Sequence, residues 1–458
     1  NGLVTVTFED ATPTLHPSRG RLNDATPNSD AGAVAVSTAA AAEVVTTRGP
    51  GRQEFNVSAR VAEDVDEVTI TVALKSREPA AGVGRHDRPR ATGAPALDGQ
   101  LASGRALPAL LFVTQSAGLS ANIGPAAAAA TTRMIESAGQ TLLDVRAGAP
   151  VGDQVRRELA TGRYKGVVLV GGYDVLPALR LDVLDPPLRQ ALGSRVSLDA
   201  DRFIVWSDAI YGDADGDRLP EFPVSRVPDG ASSRLVAAAL TGARAGNPLL
   251  RFGLRNVARP FASDVFALMQ GQGDLRVSAP TTAAMVGRRG GAGDHLYFMA
   301  HGSDDDGTRF WGEADGEMLE AFNVTNVPDS ISGVVFSGCC WGALIVQESA
   351  SRVQGPGMPA ARTPESSIAL ALLQAGAIAF VGCTGSHYSP VDEPYDYFGG
   401  PMHRAFWAHL RAGKAPAEAL FAAKTEYAVA MPHGQTRADG RAIEMKILRQ
   451  YTCLGVGW

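Results

Sequence analysis

Short apolar runs alternate with helical stretches from Ala109 onward, and no other feature restricts the fold as strongly. Residues 110–114, 141–145 and 166–170 have the length and apolar content of buried strands, while 125–138 and 152–160 between them show helical spacing. The alternation resumes with strand-like runs at 295–300, 334–337 and 378–381 and helical stretches at 366–375, 401–412 and 415–429. Strands separated by helices pair in parallel, because a parallel partner needs a long crossover. The expectation is an α/β fold of two side-by-side units with mainly parallel sheets, residues 101–245 and 246–458. Gly171-Gly172 follows one such strand, yet no G-x-G-x-x-G opens the next helix, so a dinucleotide fingerprint is excluded.

Residues 1–100 differ in texture. Ala-, Gly- and Pro-rich stretches surround a segment, 54–75, in which apolar residues alternate (Phe55, Val57, then Val68, Ile70 and Val72) as in half-buried strands. A small β-rich N-terminal module followed by a linker is expected, acting either as a partner-binding module or as a pro-segment. The 458-residue chain is 45% hydrophobic and 20% charged, with a net charge of -6 and both signs interspersed. That leaves no basic footprint for nucleic acid and no polybasic patch for a membrane surface. No apolar run reaches the roughly 20 residues that a bilayer-spanning helix needs. The four cysteines, Cys339, Cys340, Cys383 and Cys453, show no C-x-x-C spacing for zinc or a redox couple. Unpaired thiols favour a reducing, cytoplasmic setting over a secreted one.

In open α/β sheets reactive side chains gather beyond the carboxyl ends of strands. Two of the expected strands end in chemically distinctive residues: one runs into His301-Gly302-Ser303, the other into Cys339-Cys340-Trp341-Gly342. A thiolate attacks a carbonyl carbon while an imidazole takes the thiol proton and later returns it to the leaving amine. Backbone N–H groups must hold the oxyanion, and Gly302 beside the histidine permits close approach of backbone and substrate. His301 is therefore the expected general base and Cys339 the expected nucleophile, with the amides of Gly302 and Cys339 as oxyanion donors. Adjacent side chains point to different sides of the turn, so only one thiol faces the histidine, and Cys340 stays open as the competing nucleophile. A lone cysteine or histidine at a strand end is ordinarily structural; the two together on successive strands point to catalysis. Such chemistry needs no organic cofactor.

From about Ala109 to the end, these blocks resemble the gingipains, cysteine peptidases of the caspase-fold group. His301-Gly302-Ser303 followed by Trp311-Gly312 resembles the gingipain histidine block, and the apolar strand into Cys339 resembles the cysteine block. Residues 366–382 are similar to the helix and strand that follow it. Upstream, 169–177 and 207–226 resemble the first gingipain subdomain, and 447–455 the closing segment. Residues 304–310, before Trp311, depart from the family. The resemblance implies an endopeptidase that cleaves a protein or peptide substrate through a thioester. Related peptidases reading Cys-x-x-Gly select Cys339, whereas caspases reading Cys-x-Gly select Cys340.

The resemblance further implies that Glu221 orients His301 and that calcium is bound structurally. Asp213-Ala-Asp215-Gly-Asp217 alternates carboxylates as the first three ligands of a calcium loop do, but the twelfth position is Val224, where a bidentate carboxylate belongs. Glu221 falls at the ninth position, so it competes between the metal and His301. The loop after the 378–381 strand, with Tyr388, Asp392 and Glu393, is expected to line the substrate pocket. An aromatic wall with carboxylates suits Arg or Lys before the cut bond. The alternative from another class is a non-catalytic caspase-fold scaffold or interaction protein.

Overall fold

The computed structural model describes residues 99–458 apart from 147–149, 218, 243–247, 356 and 432–436; before residue 99 it describes the backbone of five strands. The chain divides into two units, Asn1–Thr92 and Gly93–Trp458. In the first, Arg52–Ala59 lies between Gly2–Phe8 and Ala42–Gly49 in an antiparallel sheet, and Ala33–Ala35 pairs with Thr71–Ala73. These strands agree with a β-rich N-terminal module. The linker expected before residue 99 lies outside the described residues.

The second unit is mixed α/β, with helices packed on one ten-stranded sheet. Its strands lie in the order Leu275–Ser278, Arg251–Asn256, His295–Met299, Gly333–Ser337, Ala377–Cys383, Tyr451–Leu454, Val224–Val227, Val167–Val170, Leu111–Thr114 and Thr141–Asp144. The first five run parallel to one another, and so do the last four. Tyr451–Leu454 joins the two groups, antiparallel to Ala377–Cys383 and parallel to Val224–Val227. The half-sheets therefore run in opposite directions, and their carboxyl edges lie on opposite sides of the molecule's spine.

Local sequence explains these elements. Val167–Val170, Gly333–Ser337 and Ala377–Cys383 are buried along their whole length, as apolar runs are when helices cover both faces of a parallel sheet. Side chains of Ser232, Thr282 and Ser367 accept from the first-turn amides of the helices they precede, and proline opens the helices Pro125–Ser137 and Pro416–Ala430. Arg251–Asn256 mixes arginines with Gly253 and carries no simple apolar signal. Its glycine admits the Phe266 ring, which would stand 2.7 Å from an added Cβ. A hairpin of Arg309–Ala314 and Glu317–Asn323 sits beside the carboxyl edge of the first half-sheet. Phe310 and Phe322 fasten it to Phe298 of the sheet, with ring centroids 5.7 Å and 4.8 Å apart.

Candidate active site

His301 lies two residues beyond the His295–Met299 strand. Trp311 of the hairpin clamps its backbone: His301 N donates to Trp311 O at 2.7 Å, and Trp311 N donates to His301 O at 3.0 Å. The same hairpin carries Glu313, whose carboxylate stands 2.9 Å from His301 Nε2. That hydrogen bond is the main influence holding the Glu313 carboxyl below its ordinary pKa. Nδ1 of His301 makes no hydrogen bond among the described residues and is free to take a proton. Glu221, expected behind the histidine, instead accepts from Ala214 N at 2.6 Å. Glu313 escaped the sequence reading because residues 304–310 read as an insertion and not as the lead into a hairpin.

The two neighbouring thiols differ in exposure and in partners. Cys339 is 0% exposed, and its Sγ accepts from Ala300 N at 3.3 Å. Burial pushes this thiol up to about 12, and its own amide donates to Ser337 Oγ at 3.2 Å. Cys340 is half-buried; burial raises its thiol as well, opposed in part by the bond that Sγ accepts from His387 N at 3.2 Å, and the thiol also faces His387 O at 3.8 Å. Gly302 packs directly on this residue: a Cβ there would lie 2.1 Å from Cys340 O, so a side chain after His301 is excluded. The amides of Gly302 and Cys340 donate to no acceptor among the described residues. The structure thus brings His301, Gly302, Glu313 and Cys340 to one edge and turns the Cys339 thiol and amide inward. No hydrogen bond joins His301 to either thiol.

Two further histidines back the thiol. His387 Nε2 and His403 Nε2 lie 3.2 Å apart, and His403 also meets Tyr297 Oη at 2.8 Å and Tyr451 Oη at 2.6 Å. Burial holds His403 well below its ordinary pKa and drives His387 down to about 3, so both are neutral near neutral pH. Beside them is a charged cluster sealed from water. Lys446 Nζ stands 2.6 Å from Asp199 Oδ1 and 2.7 Å from Asp201 Oδ2. Tyr388, expected as a pocket wall, donates its hydroxyl to Asp199 at 2.8 Å, and Trp341 Nε1 donates to Asp201 at 3.0 Å. The cluster thereby fixes the residue after Cys340 and the loop after Cys383. Asp392 and Glu393 lie exposed further along that loop.

Asp213, Asp215 and Glu221 each bring a carboxylate oxygen within 4.8 Å of the others. Asp217 stands outside that group, with Oδ1 accepting from Leu219 N at 2.7 Å. An oxygen-only set fits a hard cation such as calcium, and Arg156, 3.7 Å from Asp213, already offsets part of its charge.

No family model and no curated protein matches this chain. Among solved structures it is similar to the crystal structure of the Arg-specific cysteine proteinase gingipain R, at 12% identity and a TM-score of 0.49, covering 78% of this chain and 79% of that one. A likeness of that degree assigns no role to any residue here. The chain itself presents an imidazole, a thiol and two unengaged amides at one carboxyl edge of an α/β sheet.

Proposed function

We propose that this protein is a cysteine-type hydrolase that cleaves peptide bonds, with Cys340 as nucleophile and His301 as general base. The observation that carries this reading is a half-buried thiol on backbone packed against Gly302, the residue after His301, with the amides of Gly302 and Cys340 both unengaged among the described residues. In the proposed reaction the Cys340 sulfur attacks the carbonyl carbon and its proton passes to His301 Nδ1. The oxyanion accepts from the Gly302 and Cys340 amides, where removing one donor typically costs about 100- to 1,000-fold in rate. Collapse expels the amine, which takes the proton from His301, and leaves a thioester. Water, deprotonated by His301, attacks the thioester, releases the acid and restores the thiol. Glu313 orients the ring through Nε2 and stabilises the imidazolium as it forms. Catalytic hydrogen bonds of a free enzyme are often long and tighten with substrate bound. A calcium ion held by Asp213, Asp215 and Glu221 would brace its loop and take no part in the reaction.

The peptide specificity of the reading follows from the resemblance of the histidine and cysteine blocks to peptidases. Limited labelling with iodoacetamide or a peptidyl acyloxymethylketone, followed by mass mapping, tests it. The adduct is expected on Cys340, with its rate reduced in His301→Ala. An adduct on Cys339, or equal reactivity of all thiols, would overturn the assignment.

A further inference from the structure

Arg362 carries a charge that the proposed reaction does not use. It is 1% exposed and pairs with no carboxylate among the described residues. Burial pulls its pKa down to about 10, against the opposing charges of Asp304, Asp306 and Asp305. A buried cation without a directly paired anion costs stability, so the bonds it does make indicate what it is kept for. Those bonds run to the backbone of two different loops. Nη2 donates to Asp304 O at 2.5 Å, in the loop that follows His301, and Nη1 donates to Leu344 O at 3.3 Å, in the turn that follows Cys340.

Both ends of this bridge are fixed. Arg362 N donates to Ile345 O at 2.8 Å, and the Cys340 turn is closed by Gly342 N to Cys339 O at 3.1 Å and Leu344 N to Trp341 O at 2.9 Å. Across the gap, the Asp304 carboxylate is taken by Ser349 and Arg352, which leaves its carbonyl to Arg362. Gly307 makes room for the guanidinium, since a Cβ there would stand 2.5 Å from Nη1. No hydrogen bond runs directly between residues 301–307 and 340–344 among the described residues; Gly302 meets Cys340 through packing alone. We propose that Arg362 is a positioning residue, whose guanidinium joins the loop of His301 to the turn of Cys340 and holds imidazole and thiol in register. This role rests on the hydrolase reading above. A planar fork of five donors serves two carbonyls at once, which an ammonium on a flexible stem does less rigidly. A displacement of about 1 Å between reacting groups costs about 100-fold in rate, so a rigid tie between the two loops matters to the chemistry.

The test is a double-mutant cycle on the full chain, read as the rate of Cys340 labelling by iodoacetamide. Arg362→Lys, in protein that keeps the wild-type near-ultraviolet circular dichroism, should slow labelling about tenfold, a typical coupling between groups that act as one unit. With His301→Ala already present, the same substitution should slow it less than about twofold. Should Arg362→Lys not fold, Gly307→Ala displaces the fork with its charge retained and is read in the same cycle. Equal slowing with and without His301, or failure of both variants to fold, makes Arg362 a residue of general stability and overturns the proposal while the hydrolase reading stands. Labelling of Cys340 that is indifferent to His301→Ala removes both.

Discussion

The two half-sheets end in opposite ways. At the carboxyl edge of the Val224–Val227 half, the polar groups satisfy one another. Thr114 Oγ1 donates to Val170 O at 2.8 Å, Gly172 N donates to Asp229 at 2.6 Å, and Asn122 reaches Asp174 at 2.7 Å. Buried Arg226 is saturated by Asp208 and by the carbonyls of Gly171 and Gly172. At the carboxyl edge of the His295–Met299 half, the amides of Gly302 and Cys340 beside a half-buried thiol donate to no acceptor among the described residues. Both edges gather polar residues for the same topological reason, since strands point their last side chains beyond the sheet. Only unmet hydrogen-bonding capacity separates a place built for a ligand from one built for stability.

Six substitutions break or sharpen that contrast. The largest effect is expected from Cys340→Ala, which should abolish hydrolysis and selective thiol labelling, while Cys339→Ala keeps labelling in protein that remains folded; labelling lost only in the latter would reverse the roles. Next come the two buried ion pairs, Lys446 with Asp199 and Asp201 and Arg226 with Asp208. Lys446→Met strands Asp199 and Asp201, and Arg226→Met strands Asp208; each should cost about 3–5 kcal/mol in denaturant unfolding. They should differ in function, because the Lys446 cluster holds Trp341 and the loop behind Cys340. A labelling rate slowed equally by both would erase the distinction. Glu313→Gln should then slow hydrolysis by about a hundredfold through loss of imidazolium support, roughly 2.7 kcal/mol in barrier, with little change in melting because this carboxylate is partly exposed. The smallest effect belongs to the closed edge: Asp229→Asn weakens its bonds to the amides of Gly172 and Ala231, costing about 1–2 kcal/mol. Turnover per folded molecule should stay at the wild-type value, and a fall there would assign that edge a part in the reaction.

Calcium offers a separate measurement. If the ion braces the loop at Asp213, Asp215 and Glu221, chelation should lower the melting temperature of wild type, by mass action on the folded state, and leave Asp215→Ala unmoved.

Periodicity alone carried the strands at Leu111–Thr114, Val167–Val170, His295–Met299, Gly333–Ser337 and Ala377–Cys383, and five of the helices: Pro125–Ser137, Val151–Leu159, Ile368–Gln374, Gly399–Arg411 and Pro416–Ala430. These elements are buried on both faces, so their apolar content is continuous and local. Arg251–Asn256, Leu275–Ser278 and the hairpin with Glu313 gave weaker signals, because their burial is partial and set by neighbours distant in sequence. The closing strand Tyr451–Leu454 read only as a segment like the family's ending; nothing local indicates that it joins two half-sheets of opposite direction.

By itself, the sequence determined an α/β chain with an imidazole and a pair of thiols at the ends of apolar strands. Which thiol faces out, which carboxylate meets the imidazole, and which charges are left unpaired were decided by tertiary structure. Cys339 and Cys340 are identical in composition and adjacent in sequence; the close packing of Gly302 on Cys340, the bond from Ala300 to Cys339 and the bond from His387 to Cys340 distinguish them. Glu221 and Glu313 carry the same group, and only the hairpin's register against the sheet brings one of them to His301. Reactivity depends on distances of about 3 Å between groups far apart along the chain, and those distances exist only once the sheet has formed.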